Sequence, residues 1–144
     1  MRLFTIGFTR KGAERFFALL EGAGVANVID VRSSARSQLA GFAKRDDLAY
    51  FLKDIAGIGY RHEPSLAPTA PLLAAYRQRR DWAAYERAFL ELMRKRRIET
   101  ALERDALTRA CLLCSEHDPA NCHRRLVAEY LQRAWGDVEI VHLM

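Results

Sequence analysis

Three observations predict an α/β fold: a mostly parallel sheet with helices on both faces, in Rossmann-like or flavodoxin-like layering. Five short apolar runs alternate with longer stretches of helical periodicity along the chain. Such alternation is the pattern of strands joined by crossover helices. The runs over 25–31 and 110–113 read as buried strands, as a parallel sheet covered on both faces requires. The 144 residues show no internal repeat, linker or low-complexity stretch, so residues 1–144 are expected to form a single domain. A chain of this length buries roughly 68–70% of its unfolded surface and needs no staple to hold together.

The elements follow in order. Residues 3–6 are a short β-rich run ending at Gly7. From Lys11 to Gly22, Phe16, Phe17, Leu19 and Leu20 recur at helical spacing, and Gly22 and Gly24 supply the stop. Residues 25–31 predict a second buried strand with Asp30 and Arg32 at its exit, followed by a polar Ser-rich loop over 33–41. Asp46 or Asp47 caps a helix through Leu48, Phe51, Leu52 and Ile55, which Gly57 and Gly59 terminate. Residues 58–62 form a short third strand, and Pro64, Pro68 and Pro71 mark an extended loop. Helices follow over 72–79 and 82–107. The chain closes with a strand over 110–113, a helix through Leu126, Val127, Tyr130 and Leu131 ending at Gly136, and a strand over 138–142.

Composition bounds the function. Half the residues are hydrophobic and 28% are charged, the balance of a folded domain. No apolar run reaches the length of a membrane span, so no membrane partner is expected. The opening residues lack a signal-peptide pattern and the cysteine count is odd, at three. The expectation is free thiols in the reducing cytoplasm. A net charge of +5 permits an anionic partner without establishing one.

The densest chemistry lies between the fourth strand and its helix. Cys114-Ser115-Glu116-His117-Asp118-Pro119-Ala120-Asn121-Cys122-His123-Arg124-Arg125 packs two cysteines, two histidines and two arginines into twelve residues. In open α/β sheets that turn lies at the carboxyl edge, where ligands bind. Right-handed crossovers bring the loops after strands one, two and four to the same edge. They carry Thr9 and Arg10; Asp30, Arg32, Ser33, Arg36 and Ser37; and residues 114–125.

The combination of Thr5-Ile6-Gly7, Asp30-Val31-Arg32-Ser33 with Arg36-Ser37, Tyr60-Arg61-His62 and the closing Cys-x-Glu-x-x-Pro-x-x-Cys-His-Arg resembles the domain of unknown function 488 family. The resemblance spans nearly the whole chain. It implies a small cytoplasmic α/β protein and no particular activity. The chain departs from the family pattern at Phe8-Thr9, where His-Ser is usual, at Ala35, where proline is usual, and at Leu66-Ala67-Pro68, where Leu-Gly-Gly is usual.

Residue chemistry assigns candidate roles. Cys122, near a helix N-terminus and beside three basic side chains, is the expected nucleophile or redox thiol, because positive potential favours the thiolate. Glu116 and His123 are the candidate proton carriers. Arg32, Arg36, Ser37 and Arg124 are expected to clamp an anion, since cations in an opening helical turn oppose the dipole by about 0.3–1 kcal/mol each unless an anion joins them. Asp30 is expected to brace those arginines. Tyr60, His62 and Cys114 line the pocket wall. Either Asp118, with Pro119 first in the helix, or Asn121 is the N-cap. Cys114, His117 and Cys122 are a candidate three-ligand set for a divalent metal, with Glu116, His123 or His62 to complete it, although adjacent Cys122 and His123 diverge by about 100° on a helix and so should not both reach one ion. No other cofactor is expected. The sequence thus points to an enzyme, or former enzyme, for a small phosphate-bearing ligand such as a nucleotide. The alternatives are a nucleic-acid-binding module using the basic run Arg94-Lys95-Arg96-Arg97, and a metal- or thiol-based sensor.

Overall fold

Strands β1 (Arg2–Gly7) and β4 (Ala110–Cys114) lie side by side in the middle of the sheet, and both are apolar almost end to end. The computed structural model describes residues 1–34 and 45–144. Around that centre run β2 (Asn27–Asp30), β3 (Gly59–His62) and β5 (Glu139–Leu143). The order is β3-β2-β4-β1-β5 and every pairing is parallel. The outer strands β3 and β5 are only half covered, which explains Arg61, Glu139 and His142 within them.

Alternate residues of each strand face opposite sides, so the sheet separates two cores. Phe4, Ile6, Val28, Cys111 and Leu113 pack with α1 (Ala13–Gly22) and α2 (Arg45–Phe51, continued by a π-helical turn over Leu52–Ala56). Leu3, Ile29, Leu112 and Cys114 pack with α4 (Trp82–Arg96), α5 (Ile98–Ala101) and α6 (His123–Trp135). The remaining helix, α3 (Ala70–Arg79), is capped by Thr69 and rests Tyr76 on Trp82 and Tyr85 of α4. On α6 the buried stripe of Leu126, Val127 and Leu131 contributes about 1.5–3 kcal/mol per side chain.

Two boundaries differ from expectation. The second strand is four residues long rather than seven, with Val25 and Val31 buried just outside it. The helix expected over 82–107 breaks at Arg97, whose φ of 49° lies in the left-handed region and ends α4. Ile98 beyond it turns inward to full burial. A side chain that must reach the core overrides the helical propensity of the basic run.

The topology positions the site. The connection from β1 leads to β2 by way of α1 on one face, whereas that from β4 leads to β5 by way of α6 on the other. The helices that follow these two neighbours therefore lie on opposite faces, and the exits of β1 and β4 mark the sheet's topological switch point.

Candidate active site

The loop after β4 is stitched to the exit of β1. The Phe8 and Thr9 amides donate to the Cys114 and Ser115 carbonyls at 3.3 and 3.1 Å, and the Thr9 hydroxyl also donates to Ser115 O at 2.7 Å. The approach is so close that a Cβ on Gly7 would lie 1.7 Å from the Glu116 carbonyl oxygen. Only glycine fits there. The signal was present in the sequence as Gly7 closing an apolar run, but nothing local said what passes over it.

Arg124 locks the same loop from beneath. It is fully buried, and its guanidinium donates to the Glu116 carbonyl, to His117 O at 3.1 Å and to the Thr5 hydroxyl at 3.3 Å. Having accepted that bond, Thr5 directs its own hydrogen to His142 Nδ1 at 2.6 Å. The expected role of Arg124 as an anion clamp is thus corrected. Its donors are taken up by the chain's own oxygens, which a buried cation needs more urgently than a ligand. It forms no ion pair among the described residues.

Above this brace Cys114, Cys122 and His123 converge, with one donor atom from each lying within 4.8 Å of the others. Cys114 ends β4, Cys122 is the N-cap of α6 and His123 is its first residue. The Cys114 sulfur lies 3.7 Å from His123 Nδ1. His123 Nε2 sits 2.6 Å from the Val31 carbonyl, which can only accept, so Nε2 carries a hydrogen and Nδ1 is left as the acceptor, although the sulfur lies almost as near Nε2, at 3.9 Å. The Phe89 ring packs against the imidazole at 5.6 Å between centroids. Cys111, on the other face of β4, takes no part, and burial pushes its thiol up.

The prediction that Cys122 and His123 diverge fails because Cys122 is not in the helix. Its backbone is extended (φ −133°, ψ 138°), and the 100° helical step does not apply to it. Neither expected residue caps α6. Asp118 instead caps a separate 3₁₀ turn, Pro119–Asn121, by accepting from the Ala120 amide at 2.9 Å. The candidate metal set changes accordingly: His117 turns away to Lys11 Nζ at 3.0 Å, and His123 takes its place beside the sulfurs.

The two thiols titrate as a coupled pair. A hydrogen bond from Cys122 holds the Cys114 thiol below its usual value despite burial, with help from the Ser115 amide and the Arg124 charge. The Cys122 thiol is pushed well above its usual value, first by its hydrogen bond to Cys114 and then by burial. Of the pair, Cys114 is shifted toward the thiolate and Cys122, the expected nucleophile, away from it.

A second network closes the edge at β2 and β3. Asp30, fully buried, accepts from Arg32 Nε at 2.9 Å, Arg32 Nη2 at 2.6 Å, the Arg32 amide at 3.1 Å and the Tyr60 hydroxyl at 2.6 Å. Burial and the Asp30 contact push the Tyr60 phenol up, so it stays a donor. His62 Nε2 donates to the Arg32 carbonyl at 2.7 Å. The Arg32 guanidinium lies 5.1 Å from the centre of the Phe8 ring. Asp30 thus orients Arg32 as expected. Phe8, where the family pattern has histidine, provides the apolar face of this arginine.

Other expected residues are placed as follows. Glu116 is exposed at the rim. Arg36 and Ser37 lie outside the described residues. Lys11, which sequence reasoning missed, is half-buried next to the site, and burial, then the charges of Arg124 and Arg15, lower its pKa. Arg96 of the basic run braces the loop after β3 through the Ser65 and Ala67 carbonyls at 2.6 and 2.7 Å, while Arg94 pairs with Glu91. Ala67 sits at φ −96°, so the turn needs no glycine there. A groove of about 1000 Å³ between α1 and α2, lined by Phe17, Phe51 and Ile55, shares no residue with the cysteine cluster.

No curated protein and no solved structure matches the chain. Residues 12–131 match the family model described as Domain of unknown function DUF488, a span that runs from α1 into α6 and includes Asp30, Arg32, Cys114, Cys122, His123 and Arg124. By that match the chain belongs to the DUF488 family.

Proposed function

We propose that this protein is an enzyme whose reactive group is the Cys114 thiolate, with His123 as its proton partner and a negatively charged small molecule as its substrate. The observation that carries this reading is the Cys114 Sγ–His123 Nδ1 approach of 3.7 Å, with the imidazole tautomer set by Val31. A sulfur nucleophile beside an oriented base is the arrangement that activates a thiol. Charge supports the class of substrate. The buried Arg124, the half-buried Lys11 and the start of α6 surround the cluster with positive potential, which draws anions.

Paired alkylating reagents test both halves of the reading. At neutral pH, peptide mapping should find Cys114 modified first. Anionic iodoacetate should gain on neutral iodoacetamide relative to their ratio with a free thiol, and Lys11→Ala should reduce that gain. If no cysteine is modified without denaturant, the pair is packing and the reading falls.

A second reading has its own observation. Two sulfurs and one imidazole nitrogen within 4.8 Å, with the far nitrogen of the ring bonded to a backbone carbonyl, also suit a zinc ion with an open fourth position. One equivalent of zinc retained by the purified protein and lost in His123→Ala would put the metal in place of the free thiolate.

A further inference from the structure

We propose that Cys114 and Cys122 are an exchange pair that reduces the disulfide of a small anionic thiol, an inference that rests on the thiol reading above. A single nucleophile does not need a second thiol in contact with it. Here the second sulfur belongs to the same cluster, within 4.8 Å of the first. A disulfide requires the sulfurs to close to about 2.05 Å. Cys122 stands where that closure disturbs little. It sits between the 3₁₀ turn Pro119–Asn121 and α6, with extended backbone, its amide bonded to Pro119 O and its carbonyl to the Arg125 amide. Rotation of its side chain toward Cys114 leaves the helix intact. The strand end that bears Cys114 is fixed by the Phe8 amide and by Arg124 beneath the loop, so the nucleophile is held and the second thiol moves. Cys111 faces the opposite core and cannot compete.

The chemistry balances. The Cys114 thiolate attacks one sulfur of the substrate, that S–S bond breaks, and the first product leaves as a thiolate that takes its proton from water. The Cys122 thiol gives its proton to His123 Nδ1, and its sulfur attacks Cys114 Sγ in the mixed disulfide. The second product thiol departs, taking the proton from His123. The substrate has gained two electrons and two protons, and the protein holds a Cys114–Cys122 disulfide. An external dithiol reductant restores the starting state. The substrate is expected to be anionic because the attacking sulfur feels the Arg124 charge and half-buried Lys11 stands at the adjoining loop, on His117.

Glutathione disulfide, an anionic disulfide, and cystamine, a cationic one, test the proposal on the full reduced chain. With glutathione disulfide the wild type should lose two hydrogens in mass, and digestion should yield a Cys114–Cys122 cross-linked peptide. The Cys122→Ser variant should instead keep one glutathionyl group on Cys114, and Cys114→Ser should form neither product. Relative to their rates with a free thiol, cystamine should react at least about tenfold more slowly than glutathione disulfide. The wild-type cross-link needs no variant, so a misfolded substitution does not protect the proposal. If iodoacetate modifies Cys114 but glutathione disulfide yields no cross-link, the exchange is overturned while the thiol reading stands. If iodoacetate fails as well, both fall. A cross-link that forms equally fast with cystamine overturns the anionic substrate.

Discussion

Two arginines are buried at the carboxyl edge of the sheet, and the chain satisfies them in opposite ways. Arg32, 4% exposed, meets a carboxylate: Asp30 takes two of its nitrogens, and Tyr60 fills the remaining place on the acid. Arg124, fully buried, meets only a hydroxyl and two backbone carbonyls. The first cation is neutralised where it stands. The second is held in place with its charge unmatched by any carboxylate among the described residues, and Lys11, Cys114 and His142 all feel it. The β2–β3 half of the edge is therefore charge-matched, whereas the β1–β4 half carries a buried positive charge with no carboxylate against it among the described residues. A buried ion pair satisfies itself, but a buried lone cation favours an anion beside it.

The largest effect should come from removing the unmatched charge. Arg124→Met leaves two loop carbonyls and the Thr5 hydroxyl without their donor, and should cost about 3–5 kcal/mol in urea unfolding. A loss below about 1 kcal/mol would mean that the loop is held by its bonds to Phe8 and Thr9 alone. No compensating partner substitution exists, because two of the acceptors are backbone.

Arg32 should behave differently. Asp30→Asn strands a buried guanidinium and should cost about 3–4 kcal/mol, while Asp30→Asn combined with Arg32→Met should recover most of that loss. A double variant as unstable as the single one would show that the network matters for shape rather than charge, and the contrast between the two arginines would fail.

The smallest effect is a pH dependence that reports on the Arg124 side. Burial, then the Arg124 charge, lowers the pKa of His142, which accepts from Thr5. The unfolded chain therefore takes up this proton first. The contribution of His142 to stability is complete above the unfolded value of about 6.5 and is lost as pH falls through it. Urea midpoints between pH 7 and 5 should fall more steeply for the wild type than for His142→Gln. Equal slopes would remove His142 from the chain of contacts that begins at Arg124.

Local pattern made most of the architecture legible. Short β-rich runs announced the strands, with the apolar run of β4 marking one buried on both faces, and helical spacing announced the helices between them. Period 2 along β4 correctly separated Cys111 from Cys114. The density of thiols, imidazoles and arginines after β4 marked the site, because no core requires that mixture. Asp30 at the end of an apolar strand signalled a partner, and Arg32, two residues away, supplies it.

Roles that depend on distant backbone could not be read that way. Arg124 looked like a cation awaiting a ligand, because its acceptors are carbonyls of a loop that folds back on it. Gly7 and Lys11 acquired their parts only when that loop crossed β1. Cys122 and His123 came to face one point because the helix is capped at Cys122, beyond both expected caps, and that start is fixed by the 3₁₀ turn before it. Sequence by itself determined the strands, the helices and the set of reactive residue types, since periodicity and burial act over neighbouring positions. Tertiary structure decided which cation meets a carboxylate and which thiol is shifted toward the thiolate, since hydrogen bonds and electrostatic fields act between atoms brought close by folding, whatever their separation along the chain.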